Sequence, residues 1–167
     1  PRADTCINAT ALCKRLCYGN GIRYQSEGQK AKRVRNFRTS QFLLAEGGPE
    51  LLAENLAMLV DQARPRDWLT AKIAGVQTAI PWTIRIHDVG DFYSADYVRA
   101  WAITAKKYTG CKFWFYTRSF APGLVFDALT ELAFLPNCQG WLSVDSENYD
   151  QAILALCKTP AAIWKLA

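Results

Sequence analysis

Histidine is almost missing from this 167-residue chain: His87 stands alone. Imidazole-based acid–base chemistry therefore has one address. No apolar run approaches the roughly 20 residues that a bilayer crossing needs. The opening PRADTC lacks the basic head and apolar stretch of a secretion signal. Low-complexity tracts and linker-like segments are missing as well, so one domain over residues 1–167 is expected. Zinc-finger pairing of cysteines, a glycine-rich nucleotide loop and a helix-turn-helix pattern are all lacking. What remains is a chain that is half apolar and 13% aromatic, enough to bury a core without covalent staples.

Six cysteines make disulfides worth weighing. Disulfide-dense scaffolds are usually small chains with little core, so thiols serving as ligands in a reducing, cytoplasmic compartment are the expectation. A net charge of +5 permits an anionic partner without requiring one.

The chain changes rhythm near residue 80. Before it, residues 1–75 read as a cysteine loop followed by helices. Val34, Phe37 and Leu44 fall at helical spacing over 30–45, with polar Gln41 on the same stripe. GGP at 47–49 should stop that helix. A second should run from Pro49 to about Ala63, with Leu51, Leu52, Leu56, Leu59 and Val60 on one side. RPRDW at 64–68 is the next break. After residue 80, WTIRIH (82–87), KFWFYT (112–117), WLSVD (141–145) and AAIWKL (161–166) read as strands. Helical stretches near 94–108, 122–135 and 147–157 separate them. This alternation predicts an α/β fold of parallel βα units. A full eight-stranded barrel takes about 250 residues, so a partial, barrel-like (β/α) array is expected, with an open sheet as the other choice.

Alternation in the first strand puts Ile84 and Ile86 on one face and Thr83, Arg85 and His87 on the other. The Arg85/His87 face should look into the barrel interior or sheet crevice, where a buried arginine needs a partner or an anion. His87, Asp88 and Asp91 sit at the strand's carboxyl end, where α/β folds keep ligand sites. The next two strands end in Thr117, Arg118 and Ser119, and in Ser143, Asp145 and Glu147. Three polar rims thus share one edge, although wet loops alone would also end strands this way. Asp88 or Asp91 would equally satisfy His87 or cap the following helix.

Cys6-x6-Cys13-x3-Cys17 opens the chain. An iron–sulfur cluster binds cysteine almost exclusively and accepts varied spacing. Zinc favours two close pairs, and only Cys13/Cys17 makes one; disulfides or unligated thiols stay open as further choices. Cys111 and Cys157 read as small core residues. Cys138, in the loop before its strand, is ambiguous. In KAKRVRNFR (30–38), Lys30, Lys32, Arg33, Arg35 and Arg38 suit nucleic-acid phosphates, or simply a solvated helix.

Taken in order, the cysteine trio ending in CY, the basic stretch ending in RNF, RIHDVGDF with YVRAW, FYTRS and SVD resemble the phage gene product 88 family over about residues 5–146. The Cys6 neighbourhood departs from that family's usual Pro-Gly-Ala, having Ile-Asn-Ala instead. The layout is similar to radical S-adenosylmethionine enzymes, although their usual x3, x2 spacing differs. The resemblance implies a phage- or mobile-element protein. Cys6, Cys13 and Cys17 would hold a [4Fe–4S] cluster with an open iron for S-adenosylmethionine. Arg85, His87, Asp88 and Asp91 would act catalytically, and Thr117, Arg118, Ser119, Ser143 and Asp145 would bind cofactor and substrate. A non-catalytic nucleic-acid-binding module with a structural cluster or zinc is the alternative. A nuclease or hydrolase with a divalent ion among Asp88, Asp91 and Asp145 is a weaker one.

Overall fold

The computed structural model describes residues 5–65, 82–159 and 163–167. A short helix α1 (Ala11–Leu16) is followed by two single 3-10 turns, Tyr18–Asn20 and Ile22–Tyr24, and by the long helix α2 (Glu27–Gln62). Then come β1 (Thr83–Arg85), α3 (Ala95–Lys107), β2 (Lys112–Thr117), α4 (Leu124–Ala133), β3 (Cys138–Leu142), α5 (Tyr149–Lys158) and β4 (Trp164–Leu166).

The four strands form one parallel sheet in the order β1-β2-β3-β4. Ile84 pairs with Phe113, Phe113 with Cys138, and Phe115 with Gly140, which in turn pairs with Trp164. Parallel neighbours need crossovers of constant hand, so consecutive order sends the connecting helices to one side. Along β2, Phe113, Phe115 and Thr117 are buried while Lys112 and Tyr116 are exposed. Trp101 of α3 meets Phe113, and Phe126 of α4 stacks on Trp164 at 5.7 Å. One face is therefore packed on helices, and among the described residues no helix covers the other. A doubly wound sheet would bury both faces; consecutive units with helices on one side are compatible with a segment of a (β/α) barrel.

GGP interrupts the helix, as expected. Gly47 (φ −152°) and Gly48 (φ 65°, ψ −163°) bend α2 into two arms, and Gly48 adopts a positive φ that costs glycine nothing. Pro49 opens the second arm, where its missing N–H is harmless. That arm buries Leu52, Ala53, Leu56, Ala57 and Val60 against α3. Leu59 was expected on that face but is 58% exposed, because the stripe follows the 52, 53, 56, 57, 60 positions and Leu59 falls beside it. Ser26 caps the first arm by accepting from Gln29 N–H, so α2 starts at Glu27, ahead of the expected residue 30. Most of the RPRDW break falls outside the described residues.

β3 begins at Cys138, three residues before the expected WLSVD strand, and Ser143 to Asp145 form its exit loop. Gly140 masked the start. A β-carbon there would collide with the Trp164 ring and lie 3.0 Å from Phe115, so glycine sits mid-strand where an aromatic ring lies flat on the backbone. Asn137 strengthens this entry: its Nδ2 lies 3.0–3.1 Å from the carbonyls of Ala105, Tyr108 and Cys111. Cys111 is fully buried, as expected, whereas Cys157 is exposed. The Leu154/Leu156 pattern had suggested a core position for Cys157. On α5 it is Ala152 and Ala155 that are buried.

Gly140→Ala should therefore cost about 2 kcal/mol of unfolding free energy, as overpacking does, measured as a lower urea midpoint with an unchanged slope.

A cysteine loop fastened across the sheet rim

Each strand leaves the sheet through a polar loop, and the loops are tied together. Asp91 is buried and accepts from Phe92 N–H (2.8 Å), the Thr117 hydroxyl (2.8 Å) and Arg118 N–H (2.7 Å). Burial raises its carboxyl to about 6, against these hydrogen bonds, which favour the charged form. Thr117 and Ser119 are buried too. Ser119 donates its hydroxyl to Phe92 O and its N–H to Thr117 Oγ1. These two residues, expected to bind cofactor and substrate, have their hydroxyls engaged within the rim itself.

Arg118 reaches the other way. Its Nη1 lies 2.6 Å from Asp145 Oδ2, in a pair whose side chains are only 16% and 10% exposed. The Thr10 hydroxyl donates to the same oxygen at 2.6 Å, and Glu147 N–H to Oδ1 at 2.9 Å. Burial pushes the Asp145 carboxyl up, but these bonds and the Arg118 charge outweigh it and hold the carboxyl below its usual value. Asn148 completes the loop, accepting from Asp145 N–H and donating to Ser143 O.

The N-terminal loop lies across this rim. Thr10 caps α1 by accepting from Cys13 N–H at 3.0 Å while bonding to Asp145. Glu147 accepts from Ala11 N–H and Leu12 N–H at 2.8 and 2.9 Å, satisfying two donors that begin α1. At the other end, Gly90 (φ 105°) passes so close to Thr5 that a β-carbon would stand 3.2 Å from its hydroxyl. Gly19 is wedged between Val89 and the Cys17 sulfur. The loop is thus held at the β1 exit by Thr5 and Gly19 and at the β3 exit by Thr10 and α1.

The three cysteines are free thiols, each partly buried. Burial raises the Cys6 thiol first, with Asp91, Cys13 and Cys17 adding negative potential and a Thr5 hydrogen bond opposing. Burial also raises Cys13, where Arg118 pulls the other way and Cys17, Asp145 and Asp91 push it further up. Cys6 and Cys13 thus each feel neighbouring thiols and the carboxylates of the rim, and Cys13 feels Arg118 as well. Among the described residues, no three His, Cys, Asp or Glu side chains form a group that could hold a metal ion.

Other expected site residues go elsewhere. His87 does not share a face with Arg85. β1 ends at Arg85, and His87 turns into an aromatic box. It stacks on Tyr97 (5.6 Å, 16°), meets the edge of Phe92 at 4.5 Å, and its Nε2 lies 3.0 Å from the Tyr97 hydroxyl. Burial, then the Arg85 charge, lowers it to about 4. Arg85 is exposed on the open sheet face, its guanidinium over Trp114 at 5.1 Å, so it lacks the buried-charge problem expected for it. Asp88 is exposed and accepts from the Tyr24 hydroxyl at 3.0 Å. Asp88, Asp91 and Asp145 each answer to different partners; Asp88 and Asp91 line one cleft, whereas Asp145 is bound by Thr10 and Arg118.

The basic stretch is split in role. Lys30 pairs with Glu27, and Arg33 donates to Tyr24 O at 2.8 Å while lying over the Tyr24 ring. Lys32, Arg35 and Arg38 are exposed. Lys30, Lys32, Arg33 and Arg35 line a cleft of about 1180 Å³ whose far wall includes His87, Asp88 and Asp91. Sequence reasoning placed Glu147 on the third polar rim without a partner and gave Thr10 no site role. Thr10 carries a local signal as a cap three residues before Cys13, but nothing local links Glu147 to a helix more than 130 residues away.

Sheet and loop together define a class: a parallel α/β protein with a cysteine-bearing N-terminal loop fastened across the carboxyl rim of its sheet. The chain belongs to the Gene product 88 family, whose profile matches residues 1–163. It is 28% identical to the Gene 88 protein of Mycobacterium phage D29 over 148 residues, covering 89% of this chain and 55% of that protein. The Gene 88 protein of Mycobacterium phage L5 is 26% identical over the same share of each. The chain thus spans about half the length of the curated relatives it matches. No solved structure matches it significantly. No helix among the described residues is long and apolar enough to cross a membrane.

Two outcomes follow. Arg118→Met leaves Asp145 poorly solvated beside an apolar stem and should cost about 2 kcal/mol of stability, read by urea unfolding at pH 7. His87 is held neutral well below its unfolded value of about 6.5, so its contribution is whole above pH 6.5 and is lost as pH falls toward 4. Asp91, with a raised carboxyl, changes in the opposite sense over much of that window in any variant that keeps it. Between pH 7 and 4.5 wild type should therefore lose roughly 2 kcal/mol more than His87→Gln, seen by comparing the two unfolding free energies across pH.

Proposed function

We propose that this chain is an iron–sulfur protein of phage type in which Cys6, Cys13 and Cys17 ligate a cluster above the sheet rim. One observation carries the reading: a loop with three free, partly buried thiols is pinned across the rim by Asp145 and Glu147. The donor set fits such a group, since thiolates are what iron–sulfur clusters take and no imidazole is at hand.

This chain's residues would contribute in definite ways. Arg118 lowers the Cys13 thiol and brings positive charge toward an anionic centre, while Asp145 holds Arg118 in place. Loading would release the protons that burial keeps on Cys6 and Cys13, so affinity rises with pH. With three protein thiolates on a [4Fe–4S] cluster one iron stays open, and when bound such a cluster supplies one electron and a site for a small chelating ligand. S-adenosylmethionine suits that site. This extends the proposal to a radical-SAM-like enzyme, with Arg118 and Asp145 as the polar groups beside the ligand.

Anaerobic reconstitution with ferrous iron and sulfide should give a brown protein carrying about four irons and four sulfides per chain. Serine at position 6, 13 or 17 should abolish loading, serine at 111 or 157 should not, and Glu147→Ala should lower it by loosening the loop. Stoichiometric zinc with no iron–sulfide uptake, or loading indifferent to the trio, would overturn the reading. Reductive cleavage of S-adenosylmethionine by the loaded protein tests the enzymatic extension separately.

A further inference from the structure

The sheet's open face is built unlike an ordinary solvated surface. Across its strands run the rows Arg85–Trp114–Gln139, Thr83–Lys112 and Tyr116–Trp141–Lys165. The rings form a chain: Trp114 meets Tyr116 at 5.5 Å, and Tyr116 meets Trp141 at 6.1 Å. Cations flank it, with Arg85 over Trp114 and Tyr116 (5.1 and 5.4 Å) and Lys165 over Trp141 at 5.0 Å. The four strands contain no aspartate or glutamate. At the β1 edge the trail continues: Arg85 Nη2 lies 3.4 Å from the Tyr18 hydroxyl, Tyr18 packs edge-on to Tyr24 at 5.9 Å, and Arg23 and Arg33 lie over the Tyr24 ring. Arg33 belongs to the basic stretch of α2, so helix and sheet face share one aromatic, cationic track.

We propose that this face binds single-stranded nucleic acid, with bases against Trp114, Tyr116 and Trp141 and phosphates against Arg85, Lys112 and Lys165. Charge complementarity selects the occupant. A protein partner would meet unpaired like charge, and an isolated row of partly exposed rings offers a bilayer little aliphatic surface. Exposed aromatic rings interleaved with cations suit a chain that alternates π-faces with anions. A duplex hides its base faces and should bind poorly. The proposed base and phosphate contacts all lie on the strands; the site meets the cysteine loop only at its edge, through Tyr18, and does not rest on the cluster.

The test uses the iron-free chain, so its failure leaves the cluster reading untouched. Fluorescein-labelled oligothymidylate and oligouridylate of about 20 nucleotides should bind and quench tryptophan fluorescence, with affinity falling about 20-fold from roughly 50 to 200 mM salt if three phosphates are engaged. The double variant Arg85→Gln/Lys165→Gln changes only exposed side chains; it should weaken binding about tenfold and flatten the salt dependence. Tyr116→Ser should weaken it comparably through lost stacking. Lys106→Gln, on helix α3, should change nothing. Equal affinity for duplex, unchanged binding in the double variant, or an equal loss with Lys106→Gln would overturn the proposal. So would a concentration-dependent dimer that Tyr116→Ser dissolves, which would assign the face to a second copy.

Discussion

The Asp145 carboxylate is the point through which the rim is organised. It joins Arg118 from the β2 exit, Thr10 from the cysteine loop and the backbone of its own exit loop. A largely buried carboxylate must be satisfied on both oxygens or it shifts toward its protonated form. Here the demand is met by three segments distant in sequence, so desolvation of one group fixes their mutual position. Asp91 does the same for the β1 and β2 exits, with hydrogen bonds that only partly offset its burial.

That arrangement gives the sheet two different surfaces for chemistry. The rim is polar, tightly hydrogen-bonded and overlain by thiols. The open face is aromatic and cationic. Both exist because the strands run parallel in consecutive order, which sends the described crossover helices to one side. A doubly wound sheet of the same strands would have buried Trp114, Tyr116 and Trp141 under a second helical layer. Their ring contacts would then be core packing only.

The α/β pattern could be read from residues 82–117 because periodicity and strand length agree there: β2 begins and ends where KFWFYT does. It failed at β3, where Gly140 looks like punctuation but makes room for Trp164, a partner from the far end of the chain. It failed for His87 because two-residue alternation assumes the strand continues, and β1 stops at Arg85. The glycine pair was read correctly as a helix interruption. Whether the two arms separate or only bend depends on packing against α3, which local sequence does not encode.

The sequence by itself determined the class: βα units, a cysteine-bearing start, polar residues at strand ends and membership of the Gene product 88 family. Each is a matter of residue type at short spacing, where local sterics and periodicity rule. Tertiary structure alone decided which polar residues are scaffold and which face outward. It made Thr117 and Ser119 supports, Arg118 a bridge, Glu147 a cap for a helix at the opposite end of the chain, and Arg85 part of an aromatic surface. Those roles depend on desolvation and on partners brought together by the fold, and neither is written in any short stretch of the chain.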